Sequence, residues 1–90
     1  MSDSAFRALA DPTRRRILEL LSARDRTAGE IAEHFPVAFS SVSHHLAVLK
    51  AADLVAAERE GQSIRYRLNT TVFQEVARQM MKLFSGGKDA

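Results

Sequence analysis

The segment Ser63-Ile64-Arg65-Tyr66-Arg67-Leu68 alternates strictly between polar and apolar side chains. A period of two sends successive side chains to opposite faces of a strand. Ile64, Tyr66 and Leu68 therefore share a buried face, and Ser63, Arg65 and Arg67 a basic one. Leu54 to Arg59 reads as a second strand, and Glu60-Gly61-Gln62 supplies the turn between the two. Almost everything outside this hairpin follows helical spacing, so the chain must be built from helices that carry one small β-hairpin.

Phe6, Leu9 and Ala10 keep helical spacing after Ser2-Asp3-Ser4, predicting a short amphipathic first helix with capping residues ahead of it. At Asp11-Pro12 a good N-cap precedes a proline suited to the first helical position. A second helix starts there, carries Ile17, Leu18, Leu20 and Leu21 inward and ends near Ala23. Thr27-Ala28-Gly29-Glu30 has the spacing of a capping box, opening a third helix through Ile31, Ala32 and Phe35 that Pro36 stops. Gly29 costs roughly 1 kcal/mol relative to Ala, so this helix leans on tertiary packing.

A turn of about four residues leads to a fourth helix from Phe39 to Ala51. Its inner face is Val42, Leu46 and Leu49, while Ser40, His44, Ala47 and Ala51 point the other way. Two helices joined by a short turn, the second slim and polar on its outer side, are the parts of a helix-turn-helix, in which bulky side chains would block entry into the major groove. A last helix opens at Asn69-Thr70-Thr71, with Thr71 and Gln74 spaced as a second capping box, and stops before Gly86-Gly87. Its stripe of Val72, Phe73, Val76, Ala77, Met80, Met81, Leu83 and Phe84 is wider than one partner helix needs and marks an interface.

The expected fold class is mainly α with a small β-hairpin: a winged helix-turn-helix of five helices and a two-stranded wing, in the order α-α-α-α-β-β-α. With no internal repeat and no linker before Gly86, residues 1–90 form a single domain, with an ordered core of about 5–84 and a C-terminal tail at 85–90. A chain of 90 residues buries only a modest fraction of its surface alone, and a second copy would help. The absence of cysteine excludes disulfides, zinc-thiolate sites and thiol switches. No apolar run is long enough to span a bilayer, and Met1-Ser2-Asp3-Ser4 lacks the basic start of a secretory signal, so the expected setting is cytoplasmic without membrane insertion.

A net charge of +2 favours a polyanionic partner only weakly. Position says more, because Arg14, Arg15, Arg16, Arg24 and Arg26 face only Glu19 and Asp25 over residues 14–26. At least one of the first three pairs with Glu19 at helical spacing, and no more than one is assigned to DNA. Arg65 and Arg67 on the outer wing strand are placed to neutralise phosphates, or else to guard a solvated edge strand. Arg59, flanked by Glu58 and Glu60, is a weaker anion contact.

Enzyme and metal chemistry find no support. Adjacent His44 and His45 diverge by about 100° on a helix and do not converge on one ion. His44 faces outward toward a base edge or phosphate, whereas His45 sits at the edge of the core face as a structural hydrogen-bonding residue. Ser43 beside His44 lacks a carboxylate orienter or an oxyanion donor. Met80 and Met81 are core or interface residues and not a cofactor box.

Three stretches together resemble the ArsR/SmtB family of bacterial winged-helix repressors over roughly residues 5–84. They are Phe6-Arg7-Ala8-Leu9-Ala10-Asp11-Pro12-Thr13-Arg14-Arg15-Arg16-Ile17-Leu18, Val42-Ser43-His44-His45-Leu46-Ala47-Val48-Leu49, and Glu58 through Leu68. The front and centre look most like the metal-independent, SdpR-like branch. The resemblance implies a sequence-specific DNA-binding regulator, a repressor or autorepressor, that grips double-stranded DNA as a homodimer. It places the fourth helix in the major groove, with Phe39, Ser40, Ser41, Ser43 and His44 at recognition positions. Lys50 near the end of that helix and Gln62, Arg65 and Arg67 of the hairpin complete the DNA-binding set. It builds the dimer from the first and last helices, through Phe6, Leu9, Val72, Phe73, Val76, Met80, Leu83 and Phe84.

Two positions depart from the family pattern. The family usually has Ser or Thr where Ala38 stands and often Gln where Phe39 stands, so the helix lacks its customary cap and an adenine-reading amide. Phe39 either contacts a thymine methyl or packs inward, with packing the favoured reading. Family members that sense metals use thiolates in the third helix or Asp/His pairs in the last. Here neither stretch carries those ligands, and no metal or other cofactor is expected. Release from DNA is left open between a partner protein, a small molecule in the dimer cleft, and autoregulated concentration alone. The rival function is a protein-interaction module in which the winged helix binds a regulatory partner.

Overall fold

A computed structural model describes residues 3–85. Its elements are α1 (Asp3–Leu9), α2 (Pro12–Ala23), β1 (Arg26–Thr27), α3 (Ala28–Ala32), α4 (Phe39–Ala51), β2 (Val55–Glu60), β3 (Ser63–Leu68) and α5 (Thr70–Phe84). The five helices and the hairpin are those expected, but the sheet has three strands and not two. Its order is β1-β3-β2, with Arg26 opposite Tyr66 and Thr27 opposite Arg65 in antiparallel pairing. Two residues are too short a run to show alternation, so β1 left no periodic trace in the sequence. Beyond Ser85 the expected tail lies outside the described residues. No helix among the described residues is long and apolar enough to cross a membrane.

With seven residues, α1 is too short to hold alone in water. Asp3 and Ser4, expected ahead of it, form its first turn. Its C-terminal carbonyls are held by α2: Arg14 Nε donates to Ala8 O at 2.7 Å, Arg14 Nη2 to Arg7 O at 3.1 Å, and Arg15 Nη1 to Leu9 O at 2.7 Å. Arginines at a helix C-terminus satisfy orphan carbonyls and oppose the negative end of the dipole. Arg16 pairs with Glu19 at 2.6 Å, as helical spacing suggested. All three arginines are therefore engaged within the protomer.

α2 begins on the expected cap, Asp11 Oδ2 accepting from Arg14 N at 3.1 Å. The capping box of α3 is also formed: Thr27 N donates to Glu30 Oε1 at 2.8 Å, and Glu30 N donates to Thr27 Oγ1 at 3.1 Å. The Thr27 N–H holds the Glu30 carboxyl below the usual range. α3 stops at Ala32, short of the expected Phe35. A residue before proline is driven out of the helical region, and Phe35 precedes Pro36, so the chain tightens through His34 N to Ile31 O and Phe35 N to Ala32 O.

α4 ends in a Schellman motif. Asp53, with φ of +61°, occupies the left-handed position where glycine is usual. Asp53 N donates to Lys50 O at 2.9 Å and Leu54 N to Leu49 O at 3.0 Å. α5 opens two residues earlier than the expected Thr71–Gln74 box. Asn69 is its cap, accepting from Val72 N, because Asn69 N is itself anchored to Leu54 O at 2.9 Å.

The core joins Ala5 and Ala8 of α1, Ile17, Leu18 and Leu21 of α2, Ile31 of α3, Val42, Leu46 and Leu49 of α4, Leu54, Val55, and Val76 of α5. Fully burying one such aliphatic side chain contributes about 1.5–3 kcal/mol. The inner row of α4 is completely enclosed, so the helix-turn-helix is fixed from beneath.

Candidate nucleic-acid interface

With Val42, Leu46 and Leu49 buried, helical geometry turns Ser40, His44, Ala47 and Ala51 outward, and all four are exposed. None is bulky enough to keep the helix out of a groove. The rings of the adjacent His44 and His45 lie 5.9 Å apart, tilted by 55°. His44 is exposed, while His45 is half-buried with Nδ1 3.2 Å from Arg14 Nη1 and 3.9 Å from Asp11 Oδ2. Because arginine only donates, His45 is the acceptor in that contact and serves as a tie between α2 and α4.

The DNA-binding set does not gather in one place. Ser41 is half-buried on the flank it shares with His45, set back from the outer face. Lys50 is exposed but lies roughly 16 Å along the axis from Phe39, eleven residues on at 1.5 Å each. Phe39, Ser43 and Gln62, by contrast, line one groove of about 280 Å3 between the start of α4 and the wing, together with Thr27, Gly29, Ser63, Ile64 and Tyr66.

Phe39 is 54% exposed, which overturns the inward packing favoured from sequence. As the first residue of α4 it stands beyond the core layer that Val42 begins. Ala38 makes no side-chain hydrogen bond to the helix, so α4 starts uncapped. Ile64, expected on a buried face, is 39% exposed because it pairs with Arg59 near the hairpin tip, whereas Tyr66 and Leu68 reach the core.

The hairpin closes with Gly61 at its first central position, φ +63°, where glycine is favoured in two-residue loops. Arg65 is not free for phosphate. Its Nε lies 3.0 Å from both Glu60 carboxylate oxygens, and Nη2 adds a contact at 3.0 Å. The Arg65 hydrogen bonds hold the Glu60 carboxyl below its ordinary range and push the guanidinium up in return. Arg67 is exposed and has no ion-pair partner among the described residues. Gly29 and Ile64 were not marked as site residues by any sequence signal, since only the folded wing brings them beside α4.

A second surface follows α5. Met81, Leu83 and Phe84 are 68%, 73% and 83% exposed. Phe6, Val72, Phe73 and Met80 are partly buried against the core, and Leu9, Phe73 and Met80 line a groove of about 800 Å3 between α2 and α5. Val76, expected at an interface, is completely buried inside the protomer and offers a partner no surface. Met81 is the exposed residue that the interface set omitted.

The family described as bacterial regulatory protein, arsR family, matches residues 11–57. The chain is 48% identical over 85 residues to the transcriptional repressor SdpR of Bacillus subtilis (strain 168), covering 94% of each. In structure it resembles the ArsR-like transcriptional regulator from Rhodococcus sp. RHA1, with TM-score 0.83 and 32% identity over 97% of this chain and 80% of that one. The crystal structure of an ArsR family transcriptional regulator aligns with TM-score 0.84 and 28% identity over 92% of this chain and 91% of the other.

Proposed function

This chain belongs to the ArsR family of bacterial regulatory proteins, DNA-binding transcriptional regulators, and from that premise we propose that it is a repressor acting by occupancy. A homodimer sets two α4 helices in successive major grooves of a pseudo-palindromic operator, about one helical turn apart. The observation that carries this reading is the outer face of α4: Ser40, His44 and Ala47 exposed and slim, above an inner row with no exposure at all. Such a face suits a groove better than a protein hot spot, which would be rich in aromatic anchors. Ser40, Ser43 and His44 address base edges, and Arg67 addresses phosphate.

The exposed end of α5 supports the dimer, since Met81, Leu83 and Phe84 are costly to leave in water on so small a domain. Its own promoter is the proposed target, in keeping with the similarity to SdpR, a transcriptional repressor. Changing His44 and Arg67 together to Glu is expected to abolish retardation of operator DNA while sedimentation still reports a dimer. DNA binding that survives both changes, or that does not weaken as salt rises, would refute the assignment.

A further inference from the structure

The groove between α4 and the wing contains a feature that the fold does not use. Phe39 stands 54% exposed at the first position of α4, and Ile64 of the wing is 39% exposed on the same groove. Val37, two residues before Phe39, is 51% exposed. Ser43 lies one turn beyond Phe39 on the same flank, with Gln62 at the wing tip nearby. An aromatic ring at the open end of a helix is unfavourable in water, and the groove leaves more than half of Phe39 uncovered.

Resting on the reading that α4 enters the major groove, we propose that Phe39 is a specificity-determining residue that reads the 5-methyl group of a thymine, with Ile64 forming the opposite apolar wall. The edges of the base pairs in the major groove are hydrogen-bond donors and acceptors, with a single apolar exception, the thymine methyl. A phenyl ring can neither donate to nor accept from the other groups. Ala38 reinforces the choice, because it brings no hydroxyl to the same end of the helix. The operator therefore carries a thymine opposite the start of α4 in each half-site, and Ser40 and His44 read polar edges beyond it.

The test uses the full chain and an operator selected from a pool of random duplexes. Each thymine is then replaced singly by uracil, which removes only the methyl, and affinity is read by fluorescence anisotropy at fixed salt. One thymine per half-site should show a loss of about threefold to tenfold, the scale of one buried methyl group. Phe39→Ala should bind thymine and uracil operators equally, while Phe39→Leu should keep the discrimination. Phe39 is exposed, so an unchanged melting temperature is expected and confirms that both variants fold. The inference is overturned if no uracil substitution matters, or if Phe39→Ala still discriminates, and in either case the DNA-binding reading stands. A pool that yields no enriched sequence overturns the DNA-binding reading itself, and this inference with it.

Discussion

α3 and α4 are the two helices of the helix-turn-helix, and they begin in opposite ways. The short α3 starts with both bonds of a capping box made, whereas the longer α4 starts at Ala38 with no side chain to receive its first amides. Five residues cannot form a helix without help, so α3 depends on its cap. α4 has thirteen residues, three of them completely enclosed, and tolerates a bare start. The same contrast extends across the molecule. α1 is closed by arginines, α2 by Asp11, α5 by Asn69, and even the far end of α4 by its Schellman motif. Among the capping sites described, hydrogen-bonding capacity is left open where the chain would face DNA.

Removing closures from the scaffold should be costly and leave DNA reading intact per folded molecule. Arg14→Ala is expected to have the largest effect, about 2–3 kcal/mol in urea unfolding, because two carbonyls of α1 and His45 lose their donor together. A loss of under half a kcal/mol would show that α1 holds without it. Thr27→Ala should follow at about 1–2 kcal/mol.

The reverse operation sharpens the comparison. Ala38→Ser supplies the missing cap and should stabilise by about 0.5–1 kcal/mol. No gain would mean that the start of α4 is already satisfied. Asp53→Gly should add about 0.5–1 kcal/mol at the other end, since glycine takes φ of +61° without strain, although Asp tolerates it better than most residues. A destabilised Asp53→Gly, read from the same urea midpoint, would contradict this account.

These contrasts were unevenly legible in the sequence. Asp11-Pro12, the Thr27–Glu30 box and the bounds of α4 could be read because local chemistry decides them. Thr71 was mistaken for the cap of α5 because the bond that fixes Asn69 comes from Leu54, across the fold. The candidate site was harder. Its outer row followed from helical period alone, but the exposure of Phe39 and Ile64 depends on how far the core extends, and Arg65 on a partner five residues back. Alternation assigned Arg65 to the correct face without showing that Glu60 shares it.

That last pair gives the smallest expected change in stability and an informative change in binding. Arg65 and Glu60 are substantially exposed, and a surface ion pair of this kind contributes little to folding. Glu60→Gln should leave the urea midpoint almost unmoved. It releases the Arg65 guanidinium on the wing face that also carries Arg67, so operator affinity should rise a fewfold and the salt dependence should steepen by about one phosphate contact, a slope change near 0.9. Acid should act in the same direction. The Glu60 carboxyl is held below its ordinary range by Arg65, so the pair persists above the usual carboxylate range near 4.3 and is lost only as pH falls below it. Wild-type protein should therefore approach the Glu60→Gln salt slope only in that acidic window. An unchanged slope in the variant would mean that Arg65 braces the hairpin and never meets DNA, leaving Arg67 to carry the wing contact.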